Sequence, residues 1–214
     1  MVFYKGITMS KILLIGNGPS AIEKELGSRI DSNEFDKVVR FNRWKFKEDG
    51  SEYKNNHSKF VGTRCDYWII NDLHLTETKL GILKKDLYEL VLVVMPKFKF
   101  FNQTIVNKIE SQYPNIKFIP TEYEDSINNI SNFLPKWPST GIMGIHFAIN
   151  HFDEVYLHGF DFYDCKYDNL HYFEDKNAPH GLNKFKFNNS KDHTPQTEKT
   201  YIKHITEKYN IKFL

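Results

Sequence analysis

Cysteine is nearly absent. Cys65 and Cys165 are the only two among 214 residues, too few for a disulfide framework or a structural zinc site made of cysteines, and this predicts a reducing cytoplasm as the setting. Long apolar runs are missing too. The run at 12–15 is far too short to cross a bilayer, so no transmembrane segment is expected, and residues 1–10 lack the apolar core and cleavage site of a secretory signal. The triplets beginning at Asn102, Asn129 and Asn188 therefore match the glycan-acceptor pattern without consequence. Charge of one sign is scarce: 29 Lys plus Arg against 27 Asp plus Glu leave +2. That balance argues against a chain that wraps nucleic acid or coats a membrane, and any basic patch must be local. No His-Glu-x-x-His or comparable spacing of metal ligands occurs, so no metal cofactor is expected.

What the chain has is 40% hydrophobic and 15% aromatic residues with no break in composition, enough for one substantial core and a single domain over 1–214. The apolar run 11–15 ends at Gly16 and is followed by a helical pattern over 19–30, which reads as strand, turn and helix. Further strand-like runs at 37–41, 67–70, 90–95, 116–119 and 154–157 alternate with helix-compatible stretches such as 101–113. Such alternation predicts an α/β fold: a Rossmann-like, mostly parallel sheet flanked by helices, with ligands beyond the carboxyl ends of the strands. The clearest helix spans 141–152, with Ile142, Ile145, Ala148 and Ile149 on one face and Ser139 or Thr140 as cap. Residues 163–192 are poor in aliphatics and too long for an ordinary connection, which suits an active-site lid. A helix over 194–209 and a short strand at 211–214 close the chain.

Four motifs carry chemistry. Gly16-Asn17-Gly18-Pro19-Ser20 and Pro138-Ser139-Thr140-Gly141 fall at the starts of predicted helices, where free N–H groups and the helix dipole favour a bound anion. His171-Tyr172-Phe173-Glu174 and His193-Thr194-Pro195-Gln196-Thr197-Glu198 supply imidazoles. The first also fits the loose dinucleotide pattern, but the second strand ends Val39-Arg40-Phe41-Asn42, without the acidic residue a dinucleotide ribose requires. The second motif could be an ordinary cap, and each histidine a bland one among nine. His193 has a further property. It precedes a helix with Thr194 as cap and Pro195 in its first turn, and the positive end of that dipole favours a neutral imidazole able to act as a base.

In their order these motifs resemble those of the sialyltransferases of glycosyltransferase family 29. The large motif resembles Leu14-Ile15-Gly16-Asn17, Ile30-Asp31, Val39-Arg40-Phe41-Asn42 and Val61-Gly62-Thr63-Arg64. The small motif resembles Pro138-Ser139-Thr140-Gly141 continuing to Phe160, and the last two resemble His171-Tyr172-Phe173-Glu174 and the pair His193 and Glu198. The chain is also similar to the short bacterial sialyltransferases of family 42, through Gly-Asn-Gly-Pro-Ser, Arg-x-Asn and the strand end Gly159 to Tyr163. It departs from animal family 29 members in lacking the disulfide between large and small motifs, since apolar or aromatic residues stand near Ile12 and at Phe152. The Golgi anchor and the membrane-associating extension of some family 42 enzymes are also missing, so peripheral contact with the inner face of a membrane stays open.

The resemblance implies a GT-A-like variant of the fold and transfer of sialic acid from CMP-sialic acid to a sugar hydroxyl, with inversion and no required metal. The partners implied are the nucleotide-sugar donor and a glycan acceptor, here a terminal galactoside of a bacterial lipooligosaccharide or capsule, and no nucleic acid. Another CMP-activated acidic sugar such as Kdo, or a non-catalytic nucleotide-sugar binding module, are the alternatives. On this reading Asn17, Gly18, Pro19, Ser20, Asn42, Ser139, Thr140 and Gly141 hold the donor. His171 and Tyr172 or Tyr163 meet the departing phosphate, with Tyr167 a competitor, and His193 takes the acceptor proton, with His180 a weaker candidate. Glu198 orients the base or pairs with Lys199 or Lys203.

Overall fold

The computed structural model describes residues 11–44, 57–71, 88–94, 103–118, 130, 133–134, 138–162, 171–173 and 195–214. Strands β1 (Lys11–Ile15), β2 (Lys37–Phe41), β3 (Tyr67–Asn71), β4 (Leu90–Val94), β5 (Ile116–Phe118), β6 (Glu154–His158) and β7 (Ile211–Phe213) form one sheet of seven. Its order is β5-β4-β3-β2-β1-β6-β7, and every pairing is parallel. The strands were readable as near-continuous apolar runs because a parallel sheet is covered on both faces.

Alternation along each strand divides the core. Ile12, Leu14, Val39, Phe41 and Ile69 pack on one side with the helix α4 (Thr140–His151), whose Ile142, Ile145 and Ala148 are buried against them. Leu13, Ile15 and Val38 point to the other side and meet Ala21, Ile30 and Val61. Each such Leu, Ile or Val contributes about 1.5–3 kcal/mol by leaving water. Gly144 lets α4 lie close on the sheet, since a Cβ there would stand 2.4 Å from Phe41 Cε1.

The predicted helix over 19–30 is in fact two short pieces, a 3-10 turn at Pro19–Ile22 and α1 (Gly27–Ile30). The break has a local and a tertiary cause. Leu26 shares its N–H between Lys24 O (3.0 Å) and Phe60 O (3.3 Å) in α2 (Ser58–Val61), and a Cβ on Gly27 would lie 1.9 Å from Ser58 O. The two short helices thus approach backbone to backbone, which a continuous helix would not allow. Helix α3 (Gln103–Gln112) lies within the expected 101–113. Ser139 proves to be the cap of α4, its Oγ accepting from the Ile142 N–H (3.4 Å).

Helix α5 (Pro195–Lys208) opens at the expected proline and packs Ile202 and Ile205 into the α4 side of the core. A polar strut joins the two helices. Burial pushes the His146 imidazole down to about 4 and the Tyr201 hydroxyl up to about 12, so a protonated tyrosine and a neutral imidazole share a hydrogen bond between Oη and Nε2 at 2.5 Å. With the folded value below the ordinary 6.5, only the unfolded chain takes up this proton between pH 6.5 and 4. The contribution is complete above pH 6.5 and is lost as pH falls through that window. Burial moves His57 and His158 in the same direction. Thermal midpoints measured at pH 7 and pH 5 should therefore differ less in His146→Gln, which keeps an acceptor for Tyr201 without titrating. An identical pH slope in variant and wild type would refute this.

Among the described residues no helix is long and apolar enough to cross a membrane.

Candidate active site

The chain runs from β1 to β5 in one direction across the sheet, then returns to lay β6 on the free side of β1. At such a reversal the carboxyl ends of neighbouring strands diverge and leave a crevice for ligands. A cavity of about 260 Å³ lies there, walled by residues that follow β1, β2, β3 and β6 and by the start of α4. Asn17, Gly18, Asn42, Ser139, Thr140, Gly141 and His171 all line it, so the first three motifs and Asn42 meet at one place. The last motif reaches it through Glu198.

Pro19, Ser20 and Tyr172 lie outside that wall. Tyr172 is 5% exposed, and its hydroxyl donates to Trp44 O (3.2 Å), while its N–H donates to Asn17 O (3.0 Å) and ties the third motif to the first. His171 stacks on Phe173 with ring centroids 5.2 Å apart and planes 2° from parallel. Tyr163, Tyr167, His180 and His193, with most of the predicted lid at 163–192, fall outside the described residues. His193 precedes the first residue of α5 by two positions.

Three amides of the Gly16–Ser20 loop are already engaged within the protein: Gly16 N–H donates to His158 O (2.7 Å), Gly18 N–H to Gly159 O (2.9 Å) and Ser20 N–H to Asp161 Oδ2 (2.8 Å). Gly18 is glycine because a Cβ there would stand 2.3 Å from that same Asp161 oxygen.

At α4 the situation differs. Ser139 N–H and Oγ–H both donate to Glu198, at 2.7 and 2.8 Å, and Ser139 in turn accepts from Ile142 and Met143. Among the described residues the N–H groups of Thr140 and Gly141 have no acceptor, as first-turn amides of a helix must unless a ligand or water serves them. Their dipole end faces the cavity.

Two asparagine oxygens at the strand ends are buried without partners. Asn17 Nδ2 donates to Phe41 O (3.0 Å), which fixes the amide so that Oδ1 is buried with no partner. Asn71, the last residue of β3, has an equally unpartnered Oδ1, while its N–H donates to Asn42 Oδ1 (3.1 Å). Asn71 was not singled out from the sequence. Its one signal was position, as the third asparagine at a strand's carboxyl end, after Asn17 and Asn42. Strain gathers here as well: Asn42 and Phe162, at φ 45° and 49°, are the two non-glycine residues with positive φ among those described, and both line the cavity. Phe160 packs between Gly16 and Gly141 and edge-on to Phe41, forming an aromatic floor.

Other parts of the large motif are architectural. Asp31 accepts from the N–H groups of Thr63 and Arg64 and from the Thr63 hydroxyl. Arg64 in turn donates to three carbonyls, of Ser32, Phe35 and Asp36, and pairs with Asp66 at 2.9 Å. Arg40, fully buried, donates to Arg64 O (3.1 Å) and Val61 O and lies over the Trp44 ring, and burial lowers its pKa. These residues hold the end of α2 and the segment leading into β3 against β2 and the stretch before it.

No Lys or Arg stands in the cavity wall among the described residues. Neither do three His, Cys, Asp or Glu side chains gather among them as a metal ion would need. The wall presents the neutral first-turn amides of α4, which suit a ligand that carries an acidic group.

A family model described as glycosyltransferase family 29 (sialyltransferase) matches residues 7–209. No curated protein matches the chain.

Proposed function

The chain belongs to glycosyltransferase family 29, and from that premise we propose that it moves sialic acid from CMP-sialic acid to a sugar hydroxyl, by an inverting reaction that needs no metal. The acceptor on this reading is a terminal galactoside of a bacterial surface glycan, and the enzyme works in the cytoplasm. The observation that carries the reading is the meeting of Asn17, Asn42, Thr140, Gly141 and His171 on one cavity, with unfilled amide donors at the start of α4. A nucleotide-sugar acid has acidic groups to offer them.

Departure of CMP builds negative charge on the phosphate, and with no cation in the mechanism that charge must meet donors already in place. His171 is the candidate from the wall. Because the Tyr172 hydroxyl is engaged with Trp44 O, the tyrosine role passes to Tyr163, next in the chain to the wall residue Phe162. The Thr140 and Gly141 amides, at the positive end of α4, suit an acidic group of the donor. The sugar left behind is oxocarbenium-like. An acceptor hydroxyl attacking it loses a proton, which His193 receives.

Ligand binding tests the donor. CMP at about 100 times its Kd should stabilise the fold by about 2.7 kcal/mol, which at about 2–4 °C per kcal/mol for a chain of this size is a rise of about 5–10 °C in Tm. UDP and NAD should do far less. Equal shifts from all three, or none from CMP, would remove the donor assignment, and release of CMP from CMP-Kdo rather than CMP-sialic acid would redirect it. Transfer should also survive EDTA. Abolition by chelator with rescue by Mg²⁺ or Mn²⁺ would show that an ion handles the phosphate charge.

A further inference from the structure

Glu198 is 2% exposed, a carboxylate taken wholly out of water. Burying such a group is costly unless hydrogen bonds satisfy it, and a helix cap does not need it: the Ser139 side chain already caps α4. Its carboxylate instead grips the cap residue from outside, one oxygen on the Ser139 N–H and the other on the Ser139 hydroxyl. The next two residues in the chain are Thr140 and Gly141, whose amides face the cavity unfilled. On their far side Gly141 rests on Phe160, since a Cβ there would lie 3.1 Å from Phe160 Cε1. The turn is thus held between an aromatic floor and a carboxylate clamp.

The clamp has a second end. Glu198 belongs to the first turn of α5, five residues after His193, so whatever fixes Ser139 to Glu198 also fixes the start of α5 against the start of α4. Farther along, the bond from Tyr201 to His146 and the packing of Ile202 and Ile205 beside Ile142 and Ile145 hold the same two helices together. Two struts on one pair of helices prevent α5 from pivoting. A base and an anion-binding turn that must act on the same donor need such a fixed spacing, because misplacement by about 1 Å can cost about 10²-fold in rate.

We propose that Glu198 is a positioning residue, which holds the Thr140 and Gly141 amides in place for the donor by tying the start of α5 to the start of α4. The inference rests on the sialyl-transfer reading for its kinetic consequence, and on geometry alone for the tie between the helices. At Ser139 the residue supplies reach and hydrogen-bond geometry, one oxygen for the N–H and one for the hydroxyl.

Substitution separates reach from charge. Glu198→Gln keeps the reach, its carbonyl accepting from Ser139 N–H and its amide donating to Ser139 Oγ. Glu198→Asp keeps the charge and loses the reach, and Glu198→Ala loses both. Assayed well below their Tm values, the Ala and Asp variants should lose about 10²-fold in kcat/KM for the donor, through a raised donor KM and a lowered kcat with acceptor KM unmoved. Glu198→Gln should recover to within about threefold of wild type. Hydrogen exchange over residues 139–142 and 195–200, followed without substrate, should quicken in Ala and Asp and not in Gln. Should the Ala variant fail to fold, the Asp and Gln pair makes the same comparison. A lowered Tm with unchanged donor KM and unchanged exchange would overturn the inference, as would a Gln variant as impaired as Asp. Failure of the wild type to bind CMP, with the exchange pattern as expected, would overturn the functional reading and leave the tie standing.

Discussion

Replacement of His193 by alanine is expected to cut turnover by about 10²-fold or more while CMP binding changes little. The argument begins with the helix behind it. In sequence, residue 193 stands two positions before Pro195, the first residue of the 14-residue α5. The positive end of a helix opposes a proton on a nearby imidazole and favours the neutral form a base requires. Helix α5 is held against α4 by Glu198 and Tyr201, and Glu198 itself lines the cavity. The first turn of α5 therefore borders the site whose wall includes Thr140 and Gly141. A base that touches only the acceptor proton acts in the transition state, so its loss should appear in kcat and spare the nucleotide.

His171→Ala offers the contrast. His171 is in the wall, stacked on Phe173, and a contact with the phosphate acts in ground and transition states alike. Nucleotide affinity and rate should both fall. The two variants assayed side by side, for turnover at saturating acceptor between pH 7 and 8 and for CMP binding, decide the roles. Near-normal transfer by His193→Ala would place the base elsewhere, with His180 next in line.

The sheet was legible because burial on both faces writes each strand as an apolar run. The start of α4 was legible for a similar reason, a cap residue followed by an unbroken buried face. What could not be read depends on contacts between distant parts of the chain. Nothing in residues 19–30 announces that Leu26 will give its N–H to Phe60 O, so the helix there was drawn too long. Asp161 falls within the strand end Gly159 to Tyr163, and nothing local announces its seat on the Ser20 N–H, 141 residues away in sequence. Glu198 was noticed as the partner of His193, but its grip on Ser139 spans 59 residues. Asn71, a lone polar residue ending an apolar strand, carried no local pattern, and only the parallel register that sets it beside Asn42 gives it meaning.

Gly16→Ala is expected to damage fold and site together. A Cβ on Gly16 would stand 2.3 Å from Gly159 O and 3.1 Å from Phe160 Cδ2. The obstacle is backbone, and it has nowhere to go. Gly159 sits at φ +69°, with space for its own Cβ denied by Ala21 Cβ at 2.7 Å, and its carbonyl is already bonded to Gly18 N–H at 2.9 Å. Nor can β1 retreat, being paired with β2 on one side and β6 on the other. Overpacking of this kind costs about 1–3 kcal/mol or more, and at about 2–4 °C per kcal/mol Tm should fall by several degrees. The larger effect is on ligand. Relief of the clash must part the ends of β1 and β6, which moves Asn17 and Phe160, so the rise in Tm on adding CMP should be lost. Gly27→Ala is the control, because its Cβ would meet Ser58 O at 1.9 Å, a clash at least as severe, at a residue outside the cavity wall. Both variants should melt early, and only Gly27→Ala should still be stabilised by CMP. A full CMP response in Gly16→Ala would mean that the crevice between β1 and β6 is not where the nucleotide binds.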